Sequence, residues 1–527
     1  MSLPAAASNS ATARRWRLPG PAPALGDFYF TALLVWLFAA GAGWQGLLAD
    51  GDTGWHIRTG DYILQTGSVP RHDLFSYTRP GEPWFAWEWL ADVGLALVHR
   101  LWGLSGVAAF SGLLIAAAML ALFRWMLWRG ANLFVAVAVG LLATGACSVH
   151  FLARPHLATL LLLPLSLWMV ERDLERARRS LWLLVALSVV WTNLHGGFLA
   201  LPVTVAAMAA GLALEALGQP PAERSWRGPL RYALLAAACG AASIANPYGL
   251  RWHAHVAGYL SSDWIRNVVM EFRAPSFRSE NQLQFQVLLL AGLLAAGWRF
   301  STGRFREGLP VLLWAHLALG SVRHAPLFAM VAAPLVGSAL TELWRKWEAW
   351  RGPRSVAAAL GAVARDFAAA GRLTPWAAVG AAAVLWLTPA TKWPRDFPDE
   401  LFPTALAASQ QRWLAAARLF TSDEWADYLI YRNWPKQRVF MDGRSDFYGP
   451  GVGDQYLAVM EGRPGWEEIL KRYHCDAVLV SPRWTLHALL AQSRDWERVA
   501  SDRRAVLYRR RQAPDVAGTN PRQQSYR

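Results

Sequence analysis

Just past the first long apolar run of the chain stands an aspartate, in Gly51-Asp52-Thr53-Gly54-Trp55-His56-Ile57-Arg58. A carboxylate at a membrane–water boundary can take the proton of a hydroxyl, as inverting transfer to that hydroxyl requires. Its plainer use is to cap the helix that begins at Thr53. Asp73 closes the stretch Ser68-Val69-Pro70-Arg71-His72-Asp73 and is a second candidate acid, or a turn former. Glu88, between Trp87 and Trp89, is the third candidate, as a site acid or a metal ligand. His56 and Arg58 are candidate substrate-binding residues in the same loop.

A second set of polar residues falls at the ends of apolar runs: His150, Arg154, His156, Asn193, His195, Arg323 and His324. Ionisable groups at such places are costly, and function is their usual reason. His195-Gly196-Gly197 sets bare backbone beside an imidazole, which suits close approach of a ligand or simply a tight turn. Asn246-Pro247-Tyr248-Gly249 reads first as a turn and helix stop. Late in the chain come Trp425-Ala426-Asp427-Tyr428-Leu429 and Met441-Asp442-Gly443-Arg444-Ser445-Asp446-Phe447-Tyr448-Gly449. Asp442, Arg444, Asp446 and Tyr448 are candidate binding residues there. A β-turn with an internal Asp–Arg pair explains the same residues structurally.

The elements that must position these groups are mostly membrane helices. Of 527 residues, 54% are hydrophobic and only 17% charged, and the 30 tryptophans suit the two bilayer interfaces. About eleven apolar segments are long enough to span or nearly span: 28–48, 105–127, 131–149, 157–170, 181–193, 198–217, 231–246, 285–298, 309–321, 325–343 and 374–391. Arginines crowd alternate loops: Arg14, Arg15 and Arg17; Arg124 and Arg129; Arg172 through Arg179; Arg224 and Arg227; Arg299, Arg304 and Arg306; then 345–372. The positive-inside rule makes those loops cytoplasmic, so the N-terminus is inside and the C-terminus outside. The candidate residues then fall on the outer side. The net charge of +15 is absorbed by this pattern, and nucleic acid is not an expected partner. Cys147, Cys239 and Cys475 show no paired or zinc-ligand spacing.

The expected organisation is a basic cytoplasmic tail (1–26) and a transmembrane domain (27–392) with a long first outer loop (49–104). A soluble α/β domain (393–512) and a disordered tail (513–527) follow. The end of the first loop, Glu88 to Trp102, reads as an amphipathic interfacial helix. Strands are expected at 418–420, 438–441, 477–480 and 505–508, with helices at 465–473 and 485–493. No Walker loop, dinucleotide fingerprint, metalloprotease motif or nucleophile elbow is present.

With its acid after the first span, the chain resembles the GT-C superfamily of membrane glycosyltransferases. These include oligosaccharyltransferase catalytic subunits, protein O-mannosyltransferases and the bacterial transferases that decorate lipid A. The closer likeness is to a family of bacterial polytopic membrane proteins sharing the Asp-x-x-Trp-His loop, Asn-Leu-His-Gly-Gly, Asn-Pro-Tyr-Gly and the late Asp-Gly-Arg-x-Asp-x-Tyr motif. The resemblance implies a bacterial inner-membrane enzyme that moves a sugar from a polyprenyl-phosphate carrier to an extracytoplasmic glycan, lipid or protein acceptor. Asp52 would be the base. Arg154 and Arg323 would hold the leaving phosphate, because the guanidinium fork matches its oxygens; snorkelling to lipid headgroups is their plainer use. The Trp425 motif is similar to the acceptor-recognising region of oligosaccharyltransferases but lacks their full Trp-Trp-Asp, so peptide recognition does not carry over. Metal use stays open, a divalent cation such as Mg or Mn being the candidate. Two other classes fit the composition, a secondary transporter and a non-catalytic scaffold for envelope polysaccharide. No two-half repeat favours the transporter.

Overall fold

The computed structural model describes residues 22–40, 43–278, 282–368 and 374–511. Most of the expected basic tail, and all of 513–527, lie outside them. The described chain is mostly helical, and a helix overlies each of the eleven apolar segments. Among the described residues, five helical stretches are long and apolar enough to cross a membrane: Trp89–Trp128, Leu133–His150, Gly196–Leu217, Gln282–Ser301 and Val322–Arg351. Others are shorter. Leu183–Leu194 has 12 residues, or about 18 Å at 1.5 Å per residue, against a core of about 30 Å.

A helix covers the segment expected to be amphipathic, and it breaks where that pattern ends. Helix Trp89–Trp128 breaks at Trp102 and Gly103, the latter at φ +57°, a conformation that favours glycine. The parts before and after the break are thus separate rods joined by a bend.

The two ends of the bundle differ. At the end carrying the basic loops, Arg129 pairs with Glu171 at 2.7 Å and Glu307 at 3.0 Å, and Arg299 pairs with Glu342 at 2.7 Å. Helices Leu133–Cys147 and His156–Glu175 run from that network to the opposite end, where His150 and His156 lie. The candidate residues collect there.

After residue 393 the chain forms a four-stranded sheet, β1 Leu419–Phe420, β2 Ala477–Val480, β3 Trp496–Ser501 and β4 Val506–Arg510, in the order β1-β2-β4-β3. β1 and β2 are parallel, and the other pairs antiparallel. Residues 438–441 are not a strand; Val439 makes single bridges to Leu419 and Ser76. β3 was not expected from the sequence. Helices Asp423–Asn433 and Ser445–Glu461 complete the packing.

This region shares its core with the first loop. Trp55, Phe75 and Trp84 pack with Phe420, Met441 and Tyr448, and Ile57 and Leu95 pack with Phe397 and Tyr428. Glycines allow the closest approach. A Cβ at Gly51 would lie 2.4 Å from the Glu424 carbonyl oxygen, and one at Gly54 2.6 Å from that of Asp427. One turn on, Arg58 donates to the Tyr431 carbonyl at 2.6 Å. Positions 51, 54 and 58 therefore form one stripe that docks helix Asp423–Asn433 by its backbone.

Candidate active site

Helix Asp52–Thr66 opens with Asp52 in its first turn, where a carboxylate suits the positive helix end. The Trp55 indole donates to Asp52 Oδ1 at 3.2 Å, and Arg154 Nη2 lies 2.6 Å from Oδ2. The other terminal nitrogen of Arg154 reaches Asp50 at 2.7 Å and Glu271 at 3.4 Å. Burial pushes the Asp52 carboxyl up to about 7, against the pull of Arg154. Burial also acts on Glu271, but Arg154 and Arg323 outweigh it and hold that carboxyl down to about 2.

Glu88 stands between two imidazoles, with His56 Nε2 at 3.7 Å and His195 Nε2 at 3.6 Å. His56 is turned by Asp92, whose Oδ1 is 2.6 Å from Nδ1. Nδ1 of His195 accepts the Gly197 N–H at 3.0 Å, so its ring proton sits on Nε2, facing Glu88. Thr159, held by the Trp191 indole at 2.8 Å, hydrogen-bonds the same Nδ1 at 2.8 Å. Burial pushes Glu88 up to about 8, with Arg154 opposing and Asp52 and Asp446 reinforcing. Burial drives the two histidines the other way, so both are neutral. A protonated Glu88 beside two neutral imidazoles is a group poised to exchange protons near neutral pH.

These groups open on one cavity of about 810 Å³. Asp52, Glu88, Arg154, His156, His195, Arg323, His324, Arg444 and Asp446 all line it, although they come from separate segments. His156 donates to the His150 carbonyl at 2.7 Å. Arg323 lies over the Phe272 ring at 4.3 Å, and among the described residues no carboxylate pairs with it. Beside it the wall is aliphatic, with Leu317, Leu319 and Leu327. Asp446 pairs with His255 at 3.1 Å.

Asp73, Asp442, Tyr448, Arg58, His56 and Asn193 do not line the cavity, and Arg444 borders it from within a buried cluster. Asp73, read as catalytic, accepts the Ser76 N–H and hydroxyl and pairs with Arg444 at 2.7 Å. Arg444 also reaches Asp442 at 2.6 Å and lies over Trp84 at 4.5 Å, and Tyr448 donates to Asp442 at 2.8 Å. Asp73, Asp442, Arg444 and Tyr448 are thus one buried cluster fixing the first loop to the Ser445 helix. The internal Asp–Arg pair read as the structural alternative is present. Arg58 faces Asp61 and Tyr431. His56 is buried behind Glu88. The amide of Asn193 ties helix ends, donating to Val189 and Ala245 and accepting from the Trp89 indole. Asp50, Asp92, Glu271 and Asp427 join the site without having been singled out for it. Among the described residues, no group of three or more His, Cys, Asp or Glu side chains is placed to hold a metal ion. The acids around Asp52 converge on Arg154 instead.

No protein-family model matches the chain, and no curated protein matches it in sequence. Solved structures do. The oligosaccharyltransferase of Archaeoglobus fulgidus tethered to an acceptor peptide superposes with a TM-score of 0.52 at 13% identity, covering 86% of this chain and 68% of that one. Its apo form gives 0.50 at 15% identity, covering 86% and 69%. ArnT of Cupriavidus metallidurans, bound to undecaprenyl phosphate, gives 0.47 at 16% identity, covering 91% and 97%. Identities this low speak to fold alone. The chain has the GT-C fold, as that oligosaccharyltransferase does.

Proposed function

We propose that this protein is an integral membrane glycosyltransferase that moves a sugar from a polyprenyl-phosphate-linked donor to an extracytoplasmic acceptor with inversion. One observation carries the reading: a buried carboxylate, Asp52, and Arg323, a cation with no paired carboxylate among the described residues, line the same cavity, beside an aliphatic wall. Asp52 takes the proton of the acceptor hydroxyl. Arg323 stabilises the phosphate that leaves, and the Leu317–Leu327 wall receives the first isoprene units. Arg154, engaged by three carboxylates, holds the charge of Asp52 rather than the phosphate. Helices over eleven apolar segments, with arginines in alternate loops, support eleven crossings of a bacterial inner membrane. The cavity and the region after residue 393 then face outward, where a membrane-anchored lipid donor is accessible.

Two measurements test this. Reporters active only outside the cytoplasm will work when fused after residue 400 and fail when fused within 352–355; activity at the latter reverses the orientation. Purified protein will bind a short-chain polyprenyl phosphate, and Arg323→Lys will weaken binding about tenfold, because an ammonium keeps the charge but not the fork. Equal binding by both proteins removes Arg323 from the phosphate.

A further inference from the structure

Behind Asp52 lies a second acid. Asp427, on helix Asp423–Asn433, is 1% exposed, and its carboxyl stands beside that of Asp52 against Gly443. Gly443 backs both groups. A Cβ there would lie 2.0 Å from Asp52 Oδ1 and 2.8 Å from Asp427 Oδ2. Its N–H reaches both Asp427 oxygens, each at 3.2 Å. Two ionised carboxylates offer only acceptors, and like charges in such contact do not both ionise in a buried site. Two such carboxyls held side by side therefore favour sharing one proton.

We infer that Asp52 and Asp427 form a carboxyl pair sharing one proton, in which Asp427 is the positioning residue that presents Asp52 as the working base. The inference rests on the transferase reading and deepens it. Arg154 touches Asp52 and draws the charge there, leaving the proton on Asp427. Asp50 and Asp442 stand near the pair with further negative charge, which opposes a second ionisation. Burial, then the charges of Asp52, Asp442 and Glu424, push Asp427 well above the usual carboxylate range. In the step itself, the acceptor oxygen bonds the anomeric carbon as the bond from that carbon to the phosphate oxygen breaks. The electron pair leaves with the phosphate. The hydroxyl proton passes to Asp52, and the pair goes from singly to doubly protonated.

Such a pair titrates in two steps belonging to both residues. Transfer then falls on the acid side, when the pair is doubly protonated, and again on the alkaline side, when the shared proton is lost and the charges separate. Asp427→Asn supplies an N–H donor to Asp52 with no proton to lose. It should keep transfer within about tenfold of wild type and abolish the alkaline fall. Asp427→Leu removes the donor and should lose about 10²-fold, the effect of a misplaced reacting group. A purely structural Asp427 would leave the alkaline limb in Asp427→Asn, and that result overturns the pair. Infrared spectra give a readout independent of transfer. Beside the band of protonated Glu88, a second protonated-carboxyl component at neutral pH, shifted in D₂O, should be present in wild type and lost in Asp427→Asn. An unchanged band pattern overturns the pair even if transfer is intact. A band lost as expected, in a protein that transfers nothing, supports the pair and counts against the transferase reading.

Discussion

Asp52→Asn will lower sugar transfer by about 10²–10⁴-fold, the usual loss when a general base is removed. The substitution keeps the size of the side chain and an oxygen for the Trp55 indole, which lies 3.2 Å from Oδ1. Arg154 retains Asp50 at 2.7 Å and Glu271 at 3.4 Å, so the cavity wall stays charged and hydrogen-bonded. Insertion and lipid-phosphate binding should therefore survive while turnover is lost. In wild type the base form disappears as pH falls through about 7, because burial raises the Asp52 carboxyl to that value. The acid limb of kcat/KM belongs there, far above the range of an exposed aspartate. A scaffold would tolerate Asp52→Asn, and an ion-coupled transporter would change flux without forming a covalent product. Wild-type transfer by Asp52→Asn removes the base from the mechanism.

Arg444→Leu will act on stability instead. The guanidinium is 2% exposed and holds Asp73 and Asp442. Removing it leaves both carboxylates buried without their counterion, and breaking a buried pair this way costs about 3–5 kcal/mol. The cluster joins the first loop to helix Ser445–Glu461, so the loss should appear as a large fall in Tm and in membrane accumulation. Arg323→Leu is the control. Arg323 stacks on Phe272 without a paired carboxylate among the described residues, so its loss should spare the fold. If Arg444→Leu accumulates and melts like wild type but binds substrate poorly, Arg444 is a binding residue, as the motif first suggested.

That contrast shows how far the sequence could be read. The helices were legible because continuous apolar runs of membrane length allow little else. The gathering of Asp52, Arg154, His195 and Arg323 at one cavity was legible too, since each stands at a helix end away from the basic loops. Burial and partnership were not. Arg154 and Arg323 look alike in sequence, yet three carboxylates from two loops pair with the first and none among the described residues with the second. Asp73 and Arg444 carry the residue types of a site, and only the aromatic ring of Phe75, Trp84 and Phe447 around the guanidinium shows that they form a scaffold. β3 was missed because Glu497 and Arg498 interrupt its apolar pattern, as befits an edge strand. Helix Asp423–Asn433 did have a signal. Ser422 followed by Asp423 and Glu424 is a helix start, and Ser422 caps Trp425 N–H at 3.3 Å. Read as a helix, that motif would have put Asp427 on a face of its own, though not against Asp52. The pairing depends on Gly51 and Gly54 letting two distant segments touch by their backbones.

The central claim is tested most directly by incubating the purified wild-type protein, in liposomes, with radiolabelled sugars on polyprenyl-phosphate carriers and an extract of envelope glycans, lipids and proteins. The account predicts that label leaves the lipid, that polyprenyl phosphate is released in equal amount, and that the new linkage has the opposite anomeric configuration to the donor. Label that stays on the lipid across the donor panel, in protein that binds polyprenyl phosphate normally, would contradict it.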